Sequence, residues 1–380
     1  TYCFKTIGYN IFKAIREEKM KVVISGYYGF DNIGDEAILK SIIMALKEED
    51  ENIEITVLSS NPTETKKNYN VNAINRWSIK TIYKELKNSD GLISGGGSLL
   101  QDVTSSRNIL YYTSIIGLAN LINKPVFVYA QGVGPINKKL NKKIVKYFLN
   151  KVQYISLRDE DSFKLIKSIG VNIKTDIVPD PVMGLDFKNI DCKSRGNSYI
   201  IISVRDWCTK EAYLKKIAKS CNDISKEGIS IKLLPMHGKL DEEIAKELAK
   251  MIECEVEILS HKMNIENKLK YIREAKLMIG MRLHALIFAG NVGTPMIGIS
   301  YDPKIDSYLK LVNQPCIGCV TDGIDSTELT KKSLYILKHY EKIKEELQRD
   351  TQKLKSTAKL TANKAIKTFK VYKEKGEYNE

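Results

Sequence analysis

The chain has 380 residues, 43% of them hydrophobic, and a formal net charge of +14 at pH 7. This length and apolar content support a large core and favour two domains over one. Seven scattered cysteines, an odd number, argue against a disulfide framework and favour a reduced, cytoplasmic setting. No apolar run approaches the ~20 residues that a membrane-spanning helix needs.

From residue 20 onward, short apolar segments alternate with amphipathic ones. The pattern predicts strands at 22–24, 54–58, 91–94, 126–129 and 154–157, and helices at 35–47, 79–87, 109–121, 138–150 and 159–169. Strands that alternate with helices predict a parallel sheet covered by helices on both faces. Residues 1–19 are charged and contain no apolar signal segment, so we expect an N-terminal extension there.

The alternation breaks at Val178-Pro-Asp-Pro-Val-Met-Gly184 and stays irregular through Arg195-Gly-Asn-Ser198, which predicts an interdomain linker. A second alternating series follows, and polar helical sequence ends the chain. We therefore predict an α/β protein with two Rossmann-like parallel-sheet domains that face a cleft, followed by a C-terminal helix. The expected divisions are an extension at 1–19, a first domain at 20–183, a second domain at 184–330 and a basic helical tail at 331–380.

Glycine-rich loops follow three predicted strands of the first domain. They are Gly26 to Gly34, Ser94 to Ser98 and Gln131 to Gly134. Ligands bind at the carboxyl ends of strands in open parallel sheets, so these loops should outline one wall of a cleft. The first loop lacks the G-x-G-x-x-G spacing, which disfavours a dinucleotide site.

The first loop also carries side chains that suit a sugar. Tyr28 offers an aromatic face and Asn32 an amide, and Asp35 is expected at the N-cap of the next helix. The alternative is a tight turn before a capped helix, with no ligand.

In the second domain, the stretch Lys276–Asn291 predicts a strand, a turn at Gly280 and a short helix. Arg282 and His284 fall in the first helical turn, where free N–H groups and the helix dipole suit an anion. Arginine offers a planar fork, and histidine can move a proton near neutral pH. The alternative is a buried helix whose arginine pairs with a neighbouring aspartate and whose histidine caps a carbonyl.

Two more cations follow strands of the second domain. Arg205 and Lys304 come directly after apolar segments, so they should join Arg282 at one edge of the sheet. Together these side chains predict a site for a small, highly charged anion.

Basic residues are concentrated at the C-terminus. Residues 331–380 contain 14 Lys and Arg against 7 Asp and Glu. This surplus predicts peripheral contact with an anionic membrane, with a solvated helix face as the alternative. The chain has no recognisable nucleic-acid motif, so no nucleic-acid partner is expected.

Five motifs, in this order, resemble the polysaccharide pyruvyl transferase family, most closely its cell-wall branch, which acts on N-acetylmannosamine. They are Gly26-Tyr-Tyr-Gly-Phe-Asp-Asn-Ile-Gly-Asp-Glu-Ala37, Ser94-Gly-Gly-Gly-Ser-Leu-Leu-Gln-Asp102, Tyr129-Ala-Gln-Gly-Val-Gly-Pro135, Arg158-Asp-Glu-Asp-Ser162 and Arg282-Leu-His-Ala285. The resemblance implies a fold like that of GT-B glycosyltransferases and phosphoenolpyruvate as donor. The implied product carries pyruvate as a 4,6-ketal on the sugar.

The resemblance also implies roles for matching residues. The family's donor histidine falls on His284. The chemistry of ketal formation makes His284 the candidate that protonates the donor and Asp35 the candidate that receives the proton of the sugar hydroxyl. The implied donor-binding residues are Arg282, Leu283, Lys304 and either Arg158 or Arg205, between which the motifs do not decide. The implied acceptor-binding residues are Tyr28, Asn32, Gly96, Gly97 and Gln131. No cofactor or metal is implied, and the expected acceptor is a lipid-linked or polymeric sugar at the inner face of the membrane.

Two rival functions remain open. A glycosyltransferase that uses a nucleotide sugar could share the scaffold, but such enzymes commonly hold the ribose with an acidic residue. No glutamate occurs between Glu274 and Glu328, which counts against this rival. The second rival is a non-catalytic module that binds anions or RNA through the basic charge.

Overall fold

The computed structural model describes residues 19–103, 105–186, 198–207, 210–321 and 323–377. The predicted N-terminal extension lies outside the described residues except for Lys19. The described part forms two fully parallel sheets, one before the predicted linker and one after it. The predicted fold class, with two parallel-sheet α/β units and a C-terminal helix, is confirmed.

The first sheet has eight strands. They are β1 (Lys21–Ser25), β2 (Glu54–Ser59), β3 (Asn72–Asn75), β4 (Gly91–Ser94), β5 (Gly97–Leu100), β6 (Val126–Val133), β7 (Tyr154–Leu157) and β8 (Thr175–Ile177). Their order is β3-β2-β1-β4-β6-β7-β8, and β5 pairs with the far end of β6. The short strands β3, β5 and β8 were not predicted.

Helices cover both faces of this sheet. They are α1 (Ile33–Glu49), α2 (Pro62–Tyr69), α3 (Ile79–Lys87), α4 (Ser106–Leu121), α5 (Lys139–Leu149) and α6 (Glu160–Ser168). Alternate residues of β1 point to opposite faces, so Val22 and Ile24 pack in the core with α1, whereas Val23 packs in the core with α3 to α6.

The second sheet has six parallel strands in the order β11-β10-β9-β12-β13-β14. They are β9 (Tyr199–Ser203), β10 (Ser230–Leu233), β11 (Val256–Ile258), β12 (Leu277–Gly280), β13 (Met296–Ser300) and β14 (Cys316–Cys319). The helices are α7 (Lys210–Ser225), α8 (Gly238–Ala249), α9 (Ile265–Glu274), α10 (Leu283–Val292), α11 (Pro303–Leu311) and α12 (Ser326–Lys338). The central strands are apolar on both faces, as a sheet buried by helices requires.

Residues 187–197 of the predicted linker lie outside the described part, and the rest contains a short 3-10 helix, Pro181–Gly184, that is buried against α1 and α10. The side-chain amide of Asn291, on α10, donates to the carbonyl oxygen of Val182 at 2.6 Å. The backbone N–H of Ile33, in the first unit, donates to the carbonyl oxygen of Met236, in the second, at 3.3 Å. One apolar core runs through both units and this segment. The two units are therefore held in contact with each other beside the cleft.

The basic tail is not a free extension. Helix α13 (Tyr340–Glu377) returns to the first unit and buries Phe369 against it. Three of its lysines form ion pairs with the first unit: Lys359 with Glu48, Lys364 with Asp176 and Lys373 with Asp90. Part of the positive charge that predicted a membrane contact is thus neutralised within the fold.

Candidate active site

The carboxyl ends of both sheets face a cleft of about 540 Å³. Loops after β1, β4 and β7 form one wall, and loops after β9, β12 and β13 form the other. The cleft brings together nine of the twelve predicted site residues: Asn32, Asp35, Gly97, Arg158, Arg205, Arg282, Leu283, His284 and Lys304. Cations come mainly from the second wall and the carboxylate of Asp35 from the first.

Helix α10 presents the Arg282 and His284 pair from the end of β12. Arg282 is the N-cap residue, with extended backbone angles, and the helix begins at Leu283. Residues two apart in a regular helix would point in directions about 200° apart. Because Arg282 precedes the helix, both side chains can face the same cleft.

His284 lies at the contact between the two walls, and its Nδ1 packs against the backbone of Gly34. A Cβ atom at Gly34 would sit 2.2 Å from that nitrogen, so the close approach depends on glycine at this position. The Nε2 atom lies 3.8 Å from Oδ2 of Asp180 and has no hydrogen-bond partner among the described residues. Burial, with further contributions from Arg158 and Arg282, lowers the pKa of His284 to about 4.

Asp180, in the linker, joins His284 to Arg158. Its Oδ2 lies 3.3 Å from Nη1 of Arg158, and both side chains are almost fully buried. The other guanidinium nitrogen, Nη2, donates to Oγ of Ser98 at 2.8 Å. Arg158 is therefore held rigidly beneath the cleft by the linker and by the second glycine loop.

Arg282 is paired with Asp241, the buried carboxylate in the first turn of α8. Its Nε donates to Oδ2 of Asp241 at 2.9 Å, and its Nη2 donates to Oδ1. Asp241 also accepts hydrogen bonds from the backbone N–H groups of Met236 and His237. This pairing agrees with one part of the alternative interpretation, in which the arginine pairs with a neighbouring aspartate. The third guanidinium nitrogen, Nη1, takes no part in the two hydrogen bonds to Asp241.

Two further cations complete the second wall. Arg205 donates from Nη1 to the hydroxyl of Tyr301 at 2.7 Å and lies over that ring. Lys304 opens α11, with Nζ 3.5 Å from Oδ2 of Asp302. Burial, and next the charge of Arg158, lowers the pKa of Lys304. Lys304 and Arg158 thus bring two cations close together in the cleft.

Asp35 faces these cations from the first turn of α1. The predicted N-cap position is wrong by three residues, because Asn32 caps the helix and accepts from the N–H of Gly34 at 3.2 Å. The amide of Asn32 donates to Oδ2 of Asp35 at 2.5 Å. Burial raises the pKa of Asp35 to about 7, although the charge of Arg158 opposes the shift. A carboxyl with this pKa can accept or release a proton near neutrality.

Three predicted acceptor-binding residues do not line the cleft. Tyr28 is fully buried, and its ring fills the space left by the missing side chains of Gly26 and Gly95. Gln131 is also fully buried and donates to the carbonyl oxygen of Gly95 at 3.1 Å. Gly96 packs against α1. These residues shape the wall from behind, so direct contact with a sugar does not fit their positions.

Tyr27 takes the place that was predicted for Tyr28. It lines the cleft, is 36% exposed, and stacks on Phe30 with ring centroids 4.1 Å apart. Gly97, with φ of +92°, lies so close to Asp35 that a Cβ atom would sit 2.7 Å from its Oδ1. The two loops therefore supply an aromatic face beside a carboxyl group.

Sequence reasoning missed Asp180 and Asp241, and of the two adjacent tyrosines in the first loop it selected Tyr28 instead of Tyr27. Asp180 had a local signal, since it stands between two prolines, but that pattern was interpreted as a linker. Asp241 lies in a helix rich in acidic residues and nothing in its spacing distinguishes it. Among the described residues, no group of three or more His, Cys, Asp or Glu side chains could hold a metal ion.

Residues 32–303 match the sequence profile of a family described as polysaccharide pyruvyl transferase. The chain belongs to this family. It is also similar to the amylovoran biosynthesis protein AmsJ of Erwinia amylovora, with 22% identity over 87% of this chain and 95% of AmsJ. Family membership and this relative support a transferase that acts on a polysaccharide.

The solved structures that are similar to this family member share its fold at low identity. One is a putative UDP-N-acetylglucosamine 2-epimerase from Listeria monocytogenes, with a TM-score of 0.66, 12% identity and coverage of 94% of this chain and 97% of that chain. Another is a glycosyltransferase from Rickettsia africae, with a TM-score of 0.64, 10% identity and coverage of 93% and 99%. The GT-B-like architecture is thereby confirmed.

A third similar structure is HepE from Anabaena in complex with UDP-glucose, with a TM-score of 0.62, 12% identity and coverage of 91% of this chain and 98% of that chain. At such identity the likeness extends to the fold alone. No helix within the described residues of this pyruvyl transferase family member has the length and apolar character needed to cross a membrane.

Proposed function

We propose that this chain transfers the pyruvyl group of phosphoenolpyruvate onto a sugar of a cell-wall polysaccharide precursor and releases phosphate. The supporting observation is the cluster of Arg158, Arg205, Arg282 and Lys304 around His284 in one cleft. Phosphoenolpyruvate carries a phosphate and a carboxylate, and cations at fixed positions can clamp both groups.

The electrostatics of the cleft favour such an anion. The pKa values of His284 and Lys304 are both lowered, by burial first and by neighbouring arginines next. A bound phosphate and carboxylate would offset that positive field and raise the pKa of His284 towards neutrality. Donor binding would then load His284 with the proton that the reaction needs.

The reaction needs one proton delivered to carbon and two removed from oxygen. His284 would protonate the vinyl CH2 of the donor while a sugar hydroxyl attacks the central carbon and loses its proton to Asp35. Phosphate then leaves with the C–O bonding pair, and a second hydroxyl closes the ketal as its proton passes to the departing phosphate. The arginines would stabilise the leaving phosphate.

The acceptor would enter on the side of the first unit. The Tyr27 and Phe30 stack offers an apolar face for a sugar ring, and Asn32 holds Asp35 in place. The proposed acceptor is N-acetylmannosamine, with the 4- and 6-hydroxyls as reacting groups. This choice rests on the resemblance of the motifs to the cell-wall branch of the family.

The experiment that tests the proposal compares phosphoenolpyruvate with nucleotide sugars in a thermal-shift titration. A ligand at 100 times its dissociation constant adds ~2.7 kcal/mol of stability, which is readily measured. We expect a shift with phosphoenolpyruvate and none with uridine or guanosine nucleotide sugars. The opposite pattern would favour the rival glycosyltransferase function.

A further inference from the structure

Helices α3, α4 and α5 lie side by side on one face of the first sheet. Their inward residues, such as Ile82, Ile116 and Val145, are buried in the core beneath. Their outward residues form a surface that we call the basic apolar face. This face contributes nothing to the proposed chemistry directly, yet its composition is unusual for a solvated surface.

Large apolar side chains are exposed across the basic apolar face. Trp77, just before α3, is 62% exposed, and Leu140 on α5 is 68% exposed. Five others on the three helices are also exposed: Ile79, Tyr83, Leu110, Leu121 and Tyr147. Apolar groups concentrated on one side of a protein mark a contact surface more often than an ordinary solvated one.

The charge of the same face is almost wholly positive. The three helices carry eight Lys and Arg residues and one carboxylate, Glu85, which lies 3.4 Å from Oγ1 of Thr56. Within the described part of the chain, none of the eight forms an ion pair. Their field is therefore open to an external anion, in contrast to the paired lysines of α13.

The basic apolar face reaches the mouth of the cleft. In the first two turns of α4, Asn108 and Tyr112 line the cleft. Arg107 and Leu110, on the same turns, are exposed outward. A group held at this surface would thus be delivered beside the acceptor wall.

We propose that the basic apolar face docks the protein on an anionic lipid surface. Aromatic and aliphatic side chains that insert at the headgroup level, combined with lysines that attract anionic lipid, are the pattern of interfacial membrane binding. Docking here presents the cleft mouth to the membrane, where a lipid-linked sugar would be held. That last consequence rests on the proposed function, whereas the docking itself does not.

Vesicle flotation tests the docking in the intact chain. We expect binding to phosphatidylglycerol-containing vesicles at low salt, weaker binding at high salt, and little binding to pure phosphatidylcholine. Reversal of three exposed lysines of α5, Lys139→Glu/Lys143→Glu/Lys146→Glu, should lower the partition coefficient at least about 100-fold, since each lysine contributes about fivefold near an anionic surface.

A matched reversal on the tail helix serves as the control. The variant Lys353→Glu/Lys367→Glu/Lys370→Glu changes the same net charge on exposed positions of α13 and should keep most of the vesicle binding. An equal loss in both variants would overturn the proposal, because the attraction would then follow net charge alone. Failure of the unaltered protein to float would also overturn it, as would self-association through this face without vesicle binding.

Fluorescence tests the insertion without altering any lysine. The chain has two tryptophans, so Trp207→Phe leaves Trp77 as the sole reporter. We expect its emission to shift to the blue and to be quenched by brominated lipid when phosphatidylglycerol vesicles are added. An unchanged spectrum on bound protein would place the contact elsewhere. The phosphoenolpyruvate thermal shift of the lysine variants, measured without vesicles, reports separately on the proposed function.

Discussion

Oδ2 of Asp180 lies 3.8 Å from Nε2 of His284 and 3.3 Å from Nη1 of Arg158. One carboxylate from the linker thus contacts both a candidate proton donor of the second unit and a candidate donor-binding arginine of the first. Its negative charge raises the pKa of His284, opposing the burial that lowers it. We infer that Asp180 positions the imidazole and stabilises its protonated form.

Asp180→Asn should lower kcat by roughly tenfold for each unit by which the pKa of His284 falls, while phosphoenolpyruvate still stabilises the protein. Loss of the carboxylate lowers the pKa of His284. Activity that needs the imidazolium should therefore be lost at a lower pH in the variant than in the unaltered protein. The kcat against pH profile checks this expectation. An unshifted alkaline limb would show that Asp180 serves the fold only.

His284→Gln should retain the phosphoenolpyruvate thermal shift and lose kcat by ~10²–10⁴-fold, the usual range for general acid–base catalysis. It should also abolish the proton uptake that accompanies donor binding, which calorimetry in two buffers of different protonation enthalpy can measure. His237→Gln is the comparator, since His237 lines the same cleft. Near-normal turnover in His284→Gln would make this histidine structural.

Arg282 combines a structural role with the proposed binding role, and a double substitution separates them. Arg282→Gln leaves the buried Asp241 unpaired, which costs roughly 3–5 kcal/mol, and should also abolish the phosphoenolpyruvate shift. Adding Asp241→Asn should restore much of the stability without restoring the shift. Recovery of donor binding in the double variant would limit Arg282 to the ion pair.

The pKa of Asp35 predicts a pH-dependent stability. Its pKa is raised from 3.8 to about 7 in the fold, so its contribution is favourable below about pH 4 and is lost as the pH rises through about 7. Asp35→Asn should remove this loss of stability, which amounts to roughly 1.4 kcal/mol for each unit by which the fold raises the pKa of Asp35. The melting temperature of Asp35→Asn relative to the unaltered protein should therefore rise between about pH 4 and about pH 8. A constant difference would mean that Asp35 is ionised without penalty.

Tyr27→Ala should raise KM for the sugar and leave the phosphoenolpyruvate shift unchanged. The ring of Tyr27 lines the cleft on the first unit, away from the cation-bearing helices α10 and α11. Steady-state kinetics with the acceptor varied at saturating donor provide the measurement. Tyr28→Phe is the contrast, because Tyr28 is buried and its hydroxyl has no partner in the described residues. A larger KM effect at Tyr28 would reverse this assignment.

The sequence predicted the fold well because its signals are local. The alternation of apolar strands and amphipathic helices predicted the parallel sheets. Because ligands bind at the carboxyl ends of the strands in such sheets, it was possible to predict that Asp35, Arg205, Arg282 and His284 lie in one cleft. Which of two adjacent tyrosines faces the cleft could not be predicted, since it depends on how Gly95, distant in sequence, makes room for the ring of Tyr28.

The carboxylates that tune the site were beyond sequence reasoning for a similar reason. Asp180 and Asp241 act through partners 104 and 41 positions away in the chain. The Asp180–His284 pair forms only when the linker packs against the second unit, and the Asp241–Arg282 pair only when the second unit itself folds. The direction in which α13 packs is also tertiary information. Its lysines looked free in sequence, yet Lys359 and Lys364 pair with the first unit.

The most direct test of pyruvyl transfer follows the donor carbon itself. The protein is incubated with phosphoenolpyruvate labelled with carbon-13 at C2 and with a glycoside of N-acetylmannosamine, and the reaction is followed by carbon and phosphorus NMR. We expect the vinyl C2 signal to be replaced by that of a quaternary ketal carbon on the sugar, with an equal amount of inorganic phosphate released only when the sugar is present. Labelled phosphoenolpyruvate that stays unchanged while the same glycoside accepts a sugar from a nucleotide sugar would contradict the proposed function.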